Sequence, residues 1–256
     1  MEKGCLYLIP VDLVPGNTGD WIGTRLKTTV RALRHFVVEH PKSARQFLKA
    51  LNLPLPELTL DVLDEHSGTP DVQRFVRKLD SGVDLGLLSE AGCPAIADPG
   101  AALVAGAHAI GARVIPLVGP SSIVLALMAS GLNGQRFAFN GYLPARSPER
   151  ERGIRELEER SRRLDQTEIF IEAPYRNDQL FAALVATCDA DTTLSLATDL
   201  TGASEQVATR TVAQWKNAPP GLDRRPTVFL LLAKGKGSSD QVPHARPRRF
   251  GSRARR

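Results

Sequence analysis

The sequence predicts an α/β protein built of two units. Strand-sized apolar runs alternate with helix-length segments across most of the chain, the signature of βαβ construction. One buried run, Asp84-Leu-Gly-Leu-Leu88, stops in the long loop Ser89-Glu-Ala-Gly-Cys-Pro-Ala-Ile-Ala-Asp-Pro-Gly100. Glycine supplies positive φ and proline fixes φ near −65°, so Gly92, Pro94 and Pro99 impose turn geometry on that loop. A plain strand-to-helix connection takes roughly two to six residues. Ligands in open α/β sheets bind beyond the carboxyl ends of strands, which makes this loop the first candidate for a cofactor site.

The elements follow in order. Cys5-Leu-Tyr-Leu-Ile-Pro10 is a short strand broken by proline, and a turn-rich loop runs from it through Asp20. Residues 23–33 read as a helix and 35–39 as the second strand, stopped by His40-Pro41, with Glu39 at its end. Residues 42–51 form an amphipathic helix with Phe47, Leu48 and Leu51 on one face. Residues 58–63 are the third strand, Asp64-Glu-His-Ser-Gly68 its polar exit, and Pro70 opens a helix to residue 79. After the long loop comes a helix of small residues, then a strand over 112–118. Gly119-Pro-Ser-Ser122 follows, where a serine caps a helix over 123–129 and leaves backbone N–H groups facing outward. The alternation implies a mostly parallel sheet.

The second unit begins near residue 119. Residues 137–142 and 167–172 are strands flanking a charged helix over 147–163, whose Glu and Arg residues read as a solvated face. Residues 179–187 are helical, 192–199 extended, and 226–233 a buried closing strand. The expected division is 1–118, 119–236, and a disordered basic tail over 237–256.

Composition narrows the function. The formal net charge is +5, and the tail alone holds six arginines against Asp240, so the other 236 residues carry 27 basic and 27 acidic groups. The tail therefore either offers phosphate contacts or only keeps an otherwise neutral body in solution. No apolar run approaches the ~20 residues of a membrane span. Met1-Glu-Lys-Gly-Cys5 lacks the basic start and apolar core of a secretory signal, so the expectation is a cytoplasmic protein with no membrane partner. Cys5, Cys93 and Cys188 are odd in number and far apart, which implies neither a disulfide framework nor a zinc site. The sequence has no GxxxxGK[ST], no GxGxxG after a strand, no HExxH and no GxSxG. What remains suits a reaction whose donor is already activated, with the protein positioning two reactants.

Candidate bases for removing an acceptor proton are the strand-end carboxylates Glu39, Glu65, Glu90 and Glu172, each equally readable as a cap or surface group. His40 and His66 read as solvent-facing, Cys93 as a small packing residue, and Trp21 and Trp215 as packing or interface residues.

Four stretches carry a resemblance: Ser89 to Gly100, Pro116-Leu-Val-Gly-Pro-Ser-Ser122, Phe139-Asn-Gly-Tyr-Leu-Pro144 and Phe170-Ile-Glu-Ala-Pro-Tyr-Arg176. In order and spacing the chain resembles the tetrapyrrole-methylase superfamily, most of all its branch that methylates a cytidine ribose 2′-hydroxyl in small-subunit ribosomal RNA. The resemblance implies two α/β domains with S-adenosyl-L-methionine (SAM) in the cleft between them, and a homodimer. It implies that Pro10 belongs to the first cofactor loop and that Gly92, Cys93 and Ile96 wrap the methionine part of SAM. Ser122 and Ile123 match the helix start beside the cofactor, Glu172 and Ala173 the second-domain wall, and Thr227 a threonine by the adenine. Two departures stand out: Glu39-His40-Pro41 replaces the branch's Glu-Asp-Thr, and Pro10-Val-Asp-Leu-Val-Pro-Gly-Asn-Thr-Gly19 replaces a shorter Pro-Thr-Pro-Ile-Gly-Asn. Both would line the acceptor side, so the donor half of the site is expected to be kept and the acceptor half altered. The alternatives are a tetrapyrrole or other small-molecule acceptor, or a former methylase retained as a SAM- or RNA-binding protein.

Overall fold

The computed structural model describes residues 2–16, 18–64 and 66–235. Glu65 and the basic tail thus lie outside the described residues. The first unit comprises β1 (Cys5–Leu8), α1 (Thr18–Trp21), α2 (Thr24–Ala32), β2 (His35–Val38), α3 (Pro41–Ala50), β3 (Thr59–Val62), α4 (Thr69–Asp80), β4 (Leu85–Leu88), α5 (Ala101–Ala109) and β5 (Arg113–Pro116). Its strands pair in the order β3-β2-β4-β1-β5, every pairing parallel. Parallel pairing places the carboxyl ends of all these strands on one edge, where the loops starting at residues 9, 39, 63, 89 and 117 collect.

Helices cover both faces of this sheet, so its inner strands are continuously apolar. β4 is buried along its whole length. Successive residues face opposite ways: Phe36, Val38 and Leu88 join the core under α2 and α3, while Val37, Leu85 and Leu87 join Phe75, Leu79 and Leu103 under α4 and α5. Gly86 fits beneath Phe36 because a Cβ there would stand 2.8 Å from the Phe36 ring and 2.7 Å from Ile9.

The second unit comprises α6 (Ser122–Ser130), β6 (Phe137–Tyr142), α7 (Glu149–Leu164), β7 (Thr167–Ile171), α8 (Asn177–Thr187), β8 (Thr193–Thr198), β9 (Gln206–Thr211), α9 (Val212–Asn217) and β10 (Thr227–Leu232). The expected division after Val118 falls between β5 and α6. The strand order is β6-β7-β10-β8-β9. Only β6 and β7 are parallel; β7-β10, β10-β8 and β8-β9 are antiparallel. The expectation of a mostly parallel sheet therefore holds for the first unit and is corrected for the second. The sequence reading missed β9 and α9: β9 is half-exposed and rich in polar residues, as edge strands are, and α9 is too short to show a helical period. One face of this sheet packs α7, α8 and α9 over Phe170 and Phe229, whose rings stack at 5.9 Å. The other packs α6 over Ile169, Ala197, Val228 and Leu230.

Glu168 of β7 is fully buried and meets Arg160 of α7 through two hydrogen bonds, one at 2.8 Å. Asn140 Nδ2 (2.9 Å) and Gln166 Nε2 (3.0 Å) donate to the same carboxylate, which makes the buried charge tolerable. Trp215 packs edge-on against Phe181, and Trp21 stacks on Phe47 while donating to Asp12, both in the packing role expected.

Candidate active site

The loop after β4 is held by its backbone. Gly92, Ala95, Ala97 and Gly100 all have positive φ (71°, 65°, 63° and 127°). Alanine in this region costs roughly 1–2 kcal/mol per residue, so the neighbours must impose it. They do so from three strand ends. The Val11 amide donates to Gly92 O at 2.9 Å, the Glu90 amide donates to Glu39 Oε2 at 3.1 Å, and the Cys93 thiol donates to Pro120 O at 3.3 Å. Gly119 lets the loop after β5 touch the loop after β1, because a Cβ there would come 2.2 Å from Pro10. Gly92 is required for two reasons seen here: its φ, and Leu13, which an added Cβ would meet at 3.1 Å.

This loop and the second unit enclose a cavity of about 270 Å³. Gly92, Cys93, Ile96 and Asp98 line it from one side; Ser122, Ile123, Tyr142, Glu172 and Thr227 line it from the other. Seven of the residues expected at the cofactor therefore converge. Pro10 and Ala173 do not line the cavity: Pro10 is buried against Gly119, next to Val11, and the Ala173 amide donates to Glu172 Oε1 at 2.7 Å. Glu39 lines a neighbouring groove, and Glu90 is exposed in a separate hollow with Asp12, Ser43 and Phe47. His40 and His66 are exposed, as expected.

The electrostatics of the cavity are uneven. Glu172 is buried, with Oε1 paired to Arg176 at 2.6 Å and Oε2 left without a hydrogen-bond partner. Asp98 is pushed up to about 6, first by burial and then by the charge of Glu39, against a hydrogen bond from Ser89. Burial, then Asp98, also raise the Cys93 thiol, which keeps it protonated and in the packing role expected. Opposite stands the start of α6, where Ser121 caps the helix at 3.5 Å and the first N–H groups have no partner within it. Thr227 shares a 3.2 Å hydroxyl contact with Thr198 and donates to Arg225 O. Apolar walls (Leu13, Ile96, Ile123, Leu200, Val228) complete the enclosure.

SAM fits this set. Its cationic end matches the carboxylates, its own carboxylate matches a helix N-terminus, and an N–H donor matches the orphaned Glu172 Oε2. Asp98 and Tyr142 were missed in the sequence. Asp-Pro-Gly reads as a turn, and Tyr142 reads only as the end of a strand.

No protein-family model matches the chain. Among curated proteins it is similar to ribosomal RNA small subunit methyltransferase I of Xylella fastidiosa (strain Temecula1 / ATCC 700964), 31% identical over 248 residues, covering 96% of this chain and 87% of that protein. The protein of the same name from Vibrio cholerae serotype O1 is 32% identical over 241 residues (93% and 80% covered). The Bacillus subtilis protein is 28% identical over 242 residues (93% and 78%). Among solved structures, a diphthine synthase superposes with TM-score 0.63 at 15% identity, covering 90% of each chain. The methyltransferase CobJ superposes with TM-score 0.60 at 17% identity, covering 91% of this chain and 95% of its own. These two likenesses show the fold, two α/β domains. Fold, cleft and relatives together define a SAM-dependent methyltransferase. Within that class, the chain belongs to the ribosomal RNA small subunit methyltransferase I family.

Proposed function

We propose that the protein transfers the methyl group of SAM to a ribose 2′-hydroxyl of small-subunit ribosomal RNA. The observation that carries this reading is similarity along almost the whole chain to relatives named for that RNA, 31% over 96% of the residues in one case. SAM supplies a methyl group already activated on a sulfonium, so no nucleophile is needed from the protein. The residues divide the remaining work. Gly92, Cys93 and Ile96 would enclose the methionine part, with Pro10 fixing the loop behind them. Ser122 and Ile123 would stand beside the cofactor at the helix start, Glu172 would bound the second-unit side with the Ala173 amide holding its Oε1, and Thr227 would stand by the adenine.

The two stretches in which this chain differs from its branch fall in different places: Glu39 lines the neighbouring groove, whereas Leu13 and Val14 of the first loop line the cofactor cavity, against the expectation that both stretches line the acceptor side. His40 caps α3 without a side-chain hydrogen bond and Pro41 occupies its first turn, so Glu39-His40-Pro41 forms a rigid helix start. The longer first loop carries α1 and the Trp21–Asp12 bond. The Glu39-His40-Pro41 start supports a shift in which nucleotide is chosen, while the first loop bears on the donor side. The basic tail supplies phosphate contacts, about four of which would give a log-log salt slope near −3; truncation after Lys236 should flatten it. Two copies meet through α6, where Val124 and Met128 (73% exposed) form an i, i+4 stripe; Val118, in the loop before α6, is 92% exposed. Such an interface should exceed the ~1,200 Å² of specific complexes, and a single-chain mass by light scattering at tens of micromolar would contradict it. A cytoplasmic location follows from the substrate.

The deciding experiment incubates purified small subunits with methyl-labelled SAM and maps the product by mass spectrometry. Label on one ribose is expected. Absence of label from RNA, under conditions where the protein binds S-adenosylhomocysteine, would overturn the substrate.

A further inference from the structure

A second hollow, a groove of about 510 Å³, continues from the cofactor cavity along the carboxyl edge of the first sheet. Among the described residues, the two spaces share only Ala97, Asp98 and Tyr142. A methyl group passing from a donor in one to an acceptor in the other must cross at those residues. The groove is acidic: Glu39 enters from the end of β2, Asp64 and Ser67 from the exit of β3, and Asp98 from the loop after β4. Such walls repel a phosphodiester and accept hydrogen bonds from amino and hydroxyl groups, as carboxylates do with the cytosine amino group. Tyr142, 58% exposed at the end of β6, offers an aromatic face for stacking.

We propose that this groove receives the acceptor as a single extruded nucleoside, and that Asp98, at its junction with the cofactor cavity, is the general base of methyl transfer. The inference rests on the methyl-transfer reading above. In the step, the acceptor oxygen forms a bond to the methyl carbon, and the carbon–sulfur bond breaks with its electron pair passing to sulfur. The hydroxyl proton passes to the Asp98 carboxylate and is lost to solvent after product release. Extrusion explains how a group within a stacked strand reaches a recessed junction.

Other nearby groups are less suited. The Tyr142 phenol is raised by burial and by Asp98, so it stays protonated at neutral pH. Glu39 accepts the Glu90 amide and does not line the cofactor cavity. Glu90 points to the separate hollow, and Glu172 is paired with Arg176 across the cavity. Among the described residues, Cys93 and Asp64 also face the spaces that Asp98 lines, and the Ser89 hydroxyl nearby lowers its carboxyl. With its carboxyl near 6, Asp98 is ionised at neutral pH yet basic enough to take a proton in the transition state.

Asp98→Asn and Asp98→Glu test the assignment in the full-length protein. Carbon-13 NMR of labelled aspartate in the wild type should show one carboxyl titrating near 6 that is missing from Asp98→Asn; titration in the ordinary carboxylate range would overturn the assignment. Single-turnover transfer to small subunits should fall about 10²- to 10⁴-fold in Asp98→Asn, lose its rise through acid pH, and recover in part in Asp98→Glu. Affinity for S-adenosylhomocysteine, which lacks the sulfonium charge, should fall far less than transfer does in both variants, since the acceptor proton passes to Asp98. Unchanged transfer, or loss of transfer in proportion to lost cofactor affinity, would overturn the base. Asp64→Asn should raise KM for the subunit about fivefold, the worth of one polar contact, with cofactor affinity unchanged; an unaltered KM would remove the groove as the acceptor site. If the wild type itself fails to label RNA, the ribosomal reading falls and this assignment with it, a result separate from any variant effect.

Discussion

The two walls of the cleft keep their shape by different means. The first-unit wall, residues 89–100, is irregular backbone: two alanines and two glycines at positive φ, fixed by hydrogen bonds to the neighbouring strand-end loops. The second-unit wall is regular, with the ends of β7 and β10 and the start of α6 over a packed layer of Ile169, Ala197, Val228 and Leu230. A wall of strained backbone depends on each φ value, so one added Cβ reshapes it. A wall of strands spreads its geometry over packing and buried polar bonds, so it yields only when one of those is removed.

The largest expected effect falls on the regular side. Arg160→Ala leaves the fully buried Glu168 carboxylate with only Asn140 and Gln166 as donors, and should destabilise the protein by about 3 kcal/mol in urea titration. An unshifted midpoint would show that the second wall does not rely on its buried network.

On the irregular side, Gly92→Val places a β-branched residue at φ 71° against Leu13. Affinity for S-adenosylhomocysteine should fall at least about tenfold, near 1.4 kcal/mol, while circular dichroism stays native. Equal affinity would contradict the placement of the loop.

Asp98 sharpens the contrast through pH. Its carboxyl lies near 6 in the folded protein against 3.8 for the ordinary group, so the folded state holds the extra proton between those values and stability should fall as pH rises through that window. Asp98→Asn removes the penalty and should stabilise the protein at pH 7 by on the order of 1 kcal/mol, discounted for partial exposure. Denaturation midpoints of wild type and variant should converge near pH 4; a constant difference across the window would refute the cause given.

The smallest effect belongs to Ser121→Ala. The capping bond is long at 3.5 Å, so about 0.5 kcal/mol should be lost, at the low end for N-caps. A loss above about 2 kcal/mol would mean the start of α6 is held by more than its cap.

Much of this was legible in the sequence because it is local. The strands of the first sheet are apolar runs bounded by glycine and proline, and the long loop betrayed itself by Gly92, Pro94, Pro99 and Gly100. What was not legible depends on distant partners. β9 is a strand because β8 pairs with it, not because Gln206-Val-Ala-Thr-Arg-Thr211 alternates clearly. Asp98 reads as a turn residue, and its proton affinity comes from burial and from Glu39 on another strand. The Glu172–Arg176 pair turned a candidate base into a wall with one orphaned oxygen.

Amide hydrogen exchange with and without S-adenosylhomocysteine tests the central claim, that one cofactor bridges the two walls, most directly. The account predicts slowed exchange in residues 89–100 together with residues 121–124 and 226–228, and little change in β9 and α9. Binding with protection confined to one wall, or lying elsewhere, would contradict it.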